Sequence, residues 1–239
     1  MKCSTERLIE GLIRAQMSEY QHQLEQKQKE AQHYVVTVSR GFGSQGKEVA
    51  QLLADTLGVR CCDRYILQQV SKLAHVDEEF VAVLDEHVSK VGGHWWDMLM
   101  AKKSFSLEDY YHYLVKVVLS IAQAGGVIVG RGAHMILGSE LCFRVRITGS
   151  LEQCAQRIAD REGIGIQQAE QRVIETDRER AEYIQAIYGV NIADSGHYDL
   201  VLNSDRYSKE QMLEMILIAM RDSGYVLPEG LALNPTKGV

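Results

Sequence analysis

The fold predicted for this sequence follows mainly from residues 34–48, YVVTVSRGFGSQGKE. The stretch opens with a β-branched run typical of a buried strand, passes through a glycine-rich turn, and continues into a helical pattern of apolar residues over 49–57. A turn in this place aims several backbone N–H groups at one point, the helix N-terminus adds partial positive charge, and a lysine at its end reaches a β- or γ-phosphate. The pattern therefore predicts a phosphate-binding loop made of Gly41, Gly43, Ser44, Gln45, Gly46, Lys47 and Glu48.

The same turn also fits the G-x-G-x-x-G spacing of dinucleotide-binding enzymes. Asp63, just past the second predicted strand, lies at the spacing of the acid that binds a ribose in those enzymes. Lys47 has no role in that interpretation, and a long helical insertion replaces the short crossover that such a fold requires. A phosphotransferase is therefore favoured, and an NAD(P)-binding oxidoreductase stays open as an alternative.

The position after the lysine departs from the usual phosphate-binding loop. A Ser or Thr normally ligates Mg²⁺ there or one residue later, whereas this chain has Glu48 and Val49. Either the metal is held through water and other groups, with Glu48 or Asp63 as candidates, or the nucleotide binds without efficient catalysis.

Beyond this stretch, β-branched runs alternate with helical patterns in the order of a parallel α/β sheet with crossover helices. The predicted strands are Tyr34–Ser39, Val59–Cys62, Val127–Gly130, Phe143–Thr148 and Asp199–Asn203. The sequence divides into an N-terminal helical extension (1–33), a phosphotransferase domain (34–225) and a C-terminal tail (226–239). Within the domain we expect an aromatic-rich helical insertion (63–126), a lid region of two helices (157–190) and a last helix over Lys209–Arg221.

Composition limits the class of protein. A formal charge of -6 at pH 7 argues against binding to a nucleic acid polymer, which usually needs a basic surface. The apolar runs are too short to span a membrane and the first residues are charged rather than signal-like, so we expect a soluble, cytoplasmic protein with no membrane partner. The 5 cysteines and 8 histidines lack the spacing of a disulfide framework or a metal site, and no metal-binding residues are assigned.

Arginines late in the chain are candidates for phosphoryl transfer, which needs positive charge spread over the migrating group. They fall on two predicted helices: Arg157, Arg161, Arg172, Arg178 and Arg180. Alternating acids and arginines also make an ordinary solvated helix surface, which is the alternative for Arg161 and Arg172. Arg131, inside a Gly-Arg-Gly turn beyond the third strand, lies where open α/β sheets bind ligands.

Together these residues resemble the cytidylate kinase-like proteins, relatives of bacterial CMP kinase. The resemblance runs in collinear order over about residues 34–222, through VTVSR (36–40), GSQGKE (43–48), CD (62–63), VIVGRG (127–132), DRERA (177–181) and YDLVLN (198–203). It implies a P-loop kinase fold with a five-stranded parallel sheet flanked by helices, a helical insertion that binds a nucleoside monophosphate, and an arginine-bearing lid. It also implies ATP with Mg²⁺ as phosphoryl donor and a small nucleotide as acceptor.

The resemblance further implies roles for single residues. Lys47 and the backbone of residues 41–46 would hold the ATP phosphates, Asp63 would lie near the acceptor, and Arg131 would grip the acceptor phosphate. The catalytic set of the transfer step would be Lys47, Arg157, Arg178 and Arg180.

The expected acceptor is CMP or dCMP. CMP kinase has an Asp where this chain has Gly132, so the fold and the ATP site should carry over better than the choice of cytosine. A catalytically weak nucleotide-binding regulatory module is the alternative function. The N-terminal helix is a candidate surface for a homodimer.

Overall fold

Five parallel strands form the centre of the fold in a computed structural model that describes residues 34–79, 81–82, 107–228 and 231. The strands are β1 (Val35–Arg40), β2 (Arg60–Cys62), β3 (Gly126–Val129), β4 (Phe143–Thr148) and β5 (Leu200–Asn203). They are ordered β2-β3-β1-β4-β5, and every neighbouring pair is parallel. The predicted five-stranded parallel sheet is confirmed, with each predicted strand displaced by no more than one residue at either end.

The strand order bears on the oxidoreductase alternative. A dinucleotide-binding sheet places its second strand directly beside its first. Here β3 lies between β2 and β1, so the sheet does not have that topology. Asp63 consequently follows the edge strand, two strands away from the glycine-rich turn, instead of the strand next to it.

Helices cover both faces of the sheet. They are α1 (Gly46–Leu57), α2 (Tyr65–Ala74), α3 (Leu107–Ala124), α4 (Ala133–Leu141), α5 (Leu151–Glu162), α6 (Ile166–Tyr188) and α7 (Lys209–Asp222), with a 3₁₀ turn at Ser195–His197. Side chains alternate across a strand, so Val127 and Val129 pack with α1 and α7 on one face. Ile128, between them, packs with α2, α3 and α4 on the other.

The predicted insertion (63–126) contributes two helices to the core. Tyr110 and Tyr111 of α3 are buried in the cluster that covers one face of the sheet, so these two aromatics pack the core. The centre of the insertion, with Trp95 and Trp96, lies outside the described residues. The same is true of the N-terminal extension (1–33) and of most of the tail.

Helix α4 has no counterpart among the elements predicted from sequence. It follows the Gly-Arg-Gly turn, spans 9 residues, and is interrupted at Gly138, whose φ of 67° and ψ of -175° are not helical. A short segment with a glycine break gives no sustained helical period. The pattern that identifies longer helices is therefore missing here.

Asp199, in the YDLVLN motif, fastens β5 to β4. Its carboxylate accepts hydrogen bonds from the backbone N–H of Arg144 at 2.7 Å and from the same residue's guanidinium at 3.2 and 2.6 Å. The Asp199 N–H in turn donates to the Arg144 carbonyl at 2.8 Å. This two-way pairing sets the start of the edge strand β5.

Candidate active site

An open cleft of about 1200 Å³ lies beyond the carboxyl ends of β1, β2 and β3. Its lining carries eight Arg or Lys side chains and four Asp or Glu side chains. The surplus of positive charge contrasts with the formal charge of -6 on the whole chain. An excess of one sign of charge in a cleft concentrates ligands of the opposite sign, and this cleft is therefore suited to a phosphorylated ligand.

The glycine-rich turn (residues 41–48, here the P-loop) forms one wall of the cleft. Helix α1 starts at Gly46, and Gln45, the residue before it, has a left-handed φ of 61° and no side-chain cap. The first N–H groups of the helix therefore have no capping side chain and remain suited to anion binding. Gly43 is required at its position because its φ is +78° and an added Cβ would lie 2.6 Å from the Cys154 carbonyl oxygen.

Ser44, the one hydroxyl of the P-loop, anchors the loop from below. Its side chain is fully buried, and its Oγ lies 2.9 Å from the Gly41 carbonyl oxygen and 3.1 Å from that of Ile147 in β4. A hydroxyl held this way fixes the loop to the sheet. The Ser44 N–H also donates within the loop, to the Gly41 carbonyl at 3.4 Å.

Asp63 stands at the meeting point of three cations. Its carboxylate lies 3.3 Å from Lys47 Nζ, 3.5 Å from Arg131 Nη1 and 3.8 Å from Arg40 Nη2. Burial alone would raise the pKa of this carboxyl, but the three neighbouring cations outweigh it and hold the pKa below its ordinary value. Asp63 is therefore an anion at neutral pH and joins the P-loop to the turn after β3.

Arg131 occupies that turn in a strained conformation. Its φ is 52°, between two glycines at 79° and 66°, and a non-glycine residue in this region costs about 1–3 kcal/mol. Its guanidinium also donates to the Asp63 carbonyl oxygen at 3.1 Å. The turn thus places a largely buried arginine at the wall of the cleft and ties it to the end of β2.

Helix α6 contacts the P-loop through Asp177 and Arg180. Asp177 Oδ1 accepts a hydrogen bond from the Phe42 N–H at 2.8 Å, and Arg180 donates to the Arg40 carbonyl at 3.1 Å. Burial raises the pKa of Asp177, partly offset by the Phe42 N–H and by Arg180. The Phe42 ring lies 5.7 Å from the guanidinium carbons of both Arg161 and Arg180. Helix α6 and the P-loop therefore hold each other in place.

The predicted lid arginines separate into two groups. Arg157 and Arg180 line the cleft, together with Arg161 and Arg172. Arg178 does not: its side chain is 60% exposed and its acidic neighbour is Glu182 at 3.8 Å. Side chains two positions apart in an α-helix point in directions that differ by about 200° around the helix axis. Arg178 and Arg180 therefore lie on different faces of α6. Arg178 lies outside the cleft lining in this structure, and its predicted catalytic role stays a prediction.

Arg157 is held by several acceptors. It donates to the Gly43 carbonyl at 3.3 Å, to Ser204 Oγ at 3.1 Å and to the Ser204 carbonyl at 2.8 Å. It thereby links the P-loop to the turn after β5. Arg161 and Arg172 both pair with Glu162 at the end of α5.

Comparison with known proteins identifies the family. The model of the cytidylate kinase-like family matches residues 35–206. This chain belongs to the cytidylate kinase-like family. Family membership confirms the resemblance inferred from the sequence motifs.

Curated relatives of this cytidylate kinase-like chain include cytidylate kinases from archaea. The protein from Methanopyrus kandleri is 31% identical over 41% of this chain and 56% of its own length. The protein from Pyrococcus horikoshii is 27% identical over 51% of this chain and 69% of its own length. The one from Ignicoccus hospitalis is 27% identical over 76% of this chain and 96% of its own.

A solved structure with the same fold is an uncharacterised protein from Eubacterium ventriosum. The two chains are 19% identical and superpose with a TM-score of 0.58, covering 79% of this chain and 99% of the other. The likeness concerns the fold.

The family's use of ATP raises the question of whether this cleft suits Mg²⁺. Mg²⁺ prefers hard oxygen ligands, keeps several waters, and is often held by one or two carboxylates together with substrate phosphates. Glu48 in the first turn of α1 and Asp63 both line the cleft and supply such oxygens. Within the described ranges no group of three or more His, Cys, Asp or Glu side chains is arranged to hold a metal. The donor set therefore fits a magnesium ion carried by a nucleotide and not a dedicated protein cage.

Sequence reasoning assigned no role to Arg40, which lines the cleft, or to Asp177, which accepts a hydrogen bond from the P-loop. Arg40 ends β1, and the signal that could have found it is that ligands bind beyond the carboxyl ends of parallel strands. Asp177 belongs to the DRERA motif, and its spacing of three residues from Arg180 puts both on one helical face.

No helix within the described part of the chain is both long and apolar enough to cross a membrane.

Proposed function

We propose that this protein transfers the γ-phosphoryl group of ATP to a nucleoside monophosphate, with CMP or dCMP as the acceptor. The observation that carries the proposal is the position of Asp63 between Lys47 of the P-loop and Arg131 of the turn after β3. Donor-side and acceptor-side cations thereby meet at one carboxylate, which is where a phosphoryl group would pass between two nucleotides. The cytidylate kinases among the curated relatives support the choice of a cytosine nucleotide.

The residues would act by positioning and by charge. The P-loop N–H groups and Lys47 hold the ATP phosphates, and Arg131 holds the acceptor phosphate. Arg180, fixed by Asp177 beside the P-loop, adds positive charge close to the transferred group. Such preorganised donors stabilise the charge that develops in a phosphoryl-transfer transition state, with no covalent enzyme intermediate.

Mg²⁺ bound with the nucleotide would neutralise phosphate charge and orient the phosphates for in-line attack. Glu48 and Asp63 are the residues that would hold it, through its bound waters. A cytoplasmic location and a homodimer formed through the N-terminal extension are expected from the sequence alone.

The decisive test is ADP formation from Mg-ATP in the presence of single nucleoside monophosphates, with an ATP-binding titration beside it. We expect turnover with CMP or dCMP, and a fall of at least about 100-fold in kcat for Lys47→Ala, the order seen when one electrostatic donor of a transition state is removed. Lys72→Ala is the matched control, because Lys72 is exposed on α2 and does not line the cleft.

The outcomes separate the alternatives. ATP binding with no ADP formation for any acceptor would refute the transferase and leave a nucleotide-binding regulatory module. Turnover with a different monophosphate would keep the transferase and correct the acceptor. ADP formation that persists in Lys47→Ala would assign the activity to a contaminant or to another site.

A further inference from the structure

The side chain of Arg40 follows a path that two glycines keep open. A Cβ added at Gly46 would lie 2.5 Å from Arg40 Cβ, and one added at Gly130 would lie 2.3 Å from Arg40 Nη1. Both distances are far shorter than van der Waals contact. One side chain thus runs from the end of β1, past the start of α1, to the turn after β3, and any residue larger than glycine at either position would displace it.

The surroundings of Arg40 fix where its guanidinium ends. Its backbone carbonyl accepts the hydrogen bond from Arg180, and its Nη2 lies 3.8 Å from Asp63 Oδ1. The side chain is only 19% exposed, yet Arg40 lines the cleft. Arg40 is therefore a built part of the cleft wall and not a mobile surface arginine.

Three cationic side chains converge on the Asp63 carboxylate. Arg40, Lys47 and Arg131 each lie within 4 Å of its oxygens, at 3.8, 3.3 and 3.5 Å. A phosphomonoester carries about -1.5 to -2 at pH 7. Guanidinium groups also present paired N–H donors that match phosphate oxygens. A terminal phosphate is thus the ligand whose charge and donor requirements this set of side chains meets.

We propose that Arg40 is a binding residue for the acceptor's phosphate, shared with Arg131, and that Asp63 positions the three cations. The proposal rests on the proposed function and deepens it. It adds a second arginine to the acceptor phosphate site, placed immediately before the P-loop. Arg40 would then contact both the donor loop and the acceptor, so its loss should weaken acceptor binding while leaving ATP binding nearly intact.

The test compares Arg40→Met and Arg40→Lys with the wild-type protein and with Arg221→Met. Arg221 is an exposed arginine of α7, paired with Asp222 and outside the cleft lining, so it controls for the loss of one positive charge. Calorimetry measures the affinity for Mg-ATP, for CMP, and for inorganic phosphate in the presence of saturating Mg-ADP. Inorganic phosphate probes the site whatever nucleoside the acceptor carries.

We expect Arg40→Met to lower the affinities for CMP and for inorganic phosphate at least tenfold, and that for Mg-ATP less than threefold. The phosphate affinity of Arg40→Lys should lie between those of the wild type and Arg40→Met, since lysine keeps the charge and loses the paired donors. Arg221→Met should match the wild type.

Different results would overturn different claims. If the wild type binds inorganic phosphate but not CMP, the proposed acceptor is wrong and the phosphate titrations alone decide on Arg40. Phosphate affinity within threefold of wild type in Arg40→Met would refute the role of Arg40. The role of Arg40 would also be refuted if Arg40→Met lost as much affinity for Mg-ATP as for phosphate. It would likewise be refuted if the wild-type protein bound no inorganic phosphate in the presence of saturating Mg-ADP.

Discussion

Gly132 separates the strained Arg131 from helix α4, and replacing it by alanine tests how tightly the end of α6 packs on the acceptor-side turn. Its φ is +66°, and an added Cβ would lie 2.2 Å from Tyr188 Cε2. The Tyr188 hydroxyl also donates to the Arg131 carbonyl at 3.3 Å. Gly132→Ala must therefore push the Tyr188 ring away, move the turn, or both.

The magnitude separates into two contributions. An alanine in the left-handed region costs about 1–2 kcal/mol, and forcing a methyl group into a packed contact costs about 1–3 kcal/mol more. Gly58 isolates the first contribution, since its φ is also +66° and nothing lies within 4 Å of the added Cβ. We expect Gly58→Ala to lower the free energy of unfolding by about 1–2 kcal/mol and Gly132→Ala by about 2–5 kcal/mol.

The assay is urea unfolding of both variants, with the wild type beside them. In a Tyr188→Leu background the ring is absent, so Gly132→Ala should cost no more than Gly58→Ala does. The acceptor KM of Gly132→Ala should also rise, because Arg131 moves with the turn. If Gly132→Ala and Gly58→Ala cost the same, or if Gly132→Ala and Tyr188→Leu are additive, the packing of Tyr188 against this turn is refuted.

Two further predictions concern the lid arginines and a buried histidine. Arg180→Ala should lower kcat at least about 100-fold, whereas Arg178→Ala should stay within about threefold of wild type because its side chain is exposed and faces away from the cleft; equal losses in steady-state assays of the two variants would contradict the assignment of faces. His134 is buried and stacked on Tyr198 with ring centroids 4.9 Å apart, and burial, reinforced by His197, Arg146 and Arg144, lowers its pKa to about 3. Between pH 3 and about pH 6.5, His134 is protonated in the unfolded chain but neutral in the folded protein. The stability that neutral His134 contributes is therefore complete above about pH 6.5 and is lost as the pH falls toward 3. Denaturant unfolding between pH 7 and pH 4.5 should show a shallower pH dependence for His134→Asn, by up to about 1.4 kcal/mol per pH unit; parallel profiles would show that His134 does not titrate in this way.

The spacing of apolar residues made the sheet and most helices predictable, because buried positions recur at a fixed interval in strands and in amphipathic helices. Phe143–Thr148 alternates buried and half-buried positions along its length, and its limits agree with the prediction at both ends. Helix α4 could not be found this way. Its buried residues, Ala133, His134, Ile136 and Leu137, all precede the break at Gly138, and so short a segment shows no regular helical period in the sequence.

The site was predictable where a local pattern carries the chemistry. The P-loop is such a case, since one continuous stretch supplies the strand, the turn, the helix start and the lysine. The arginines of α6 were predictable only as a group, because sequence proximity alone does not say which of two neighbours faces the cleft. The rotation of the helix decides that question, and Asp177 with Arg180 fits one face while Arg178 lies on another.

The cluster around Asp63 shows why the rest required the structure. Its members come from four loops or strand ends that the sheet order β2-β3-β1 brings together, and no spacing in the sequence relates Arg40 to Gly130. Once the strands are placed, the two glycines acquire a common explanation, since each leaves room for the same arginine. Gly130, before Arg131, and Gly46, before Lys47, are therefore both explained by the side chain of Arg40. In this cleft, two positions without side chains leave room for the charged side chain of Arg40.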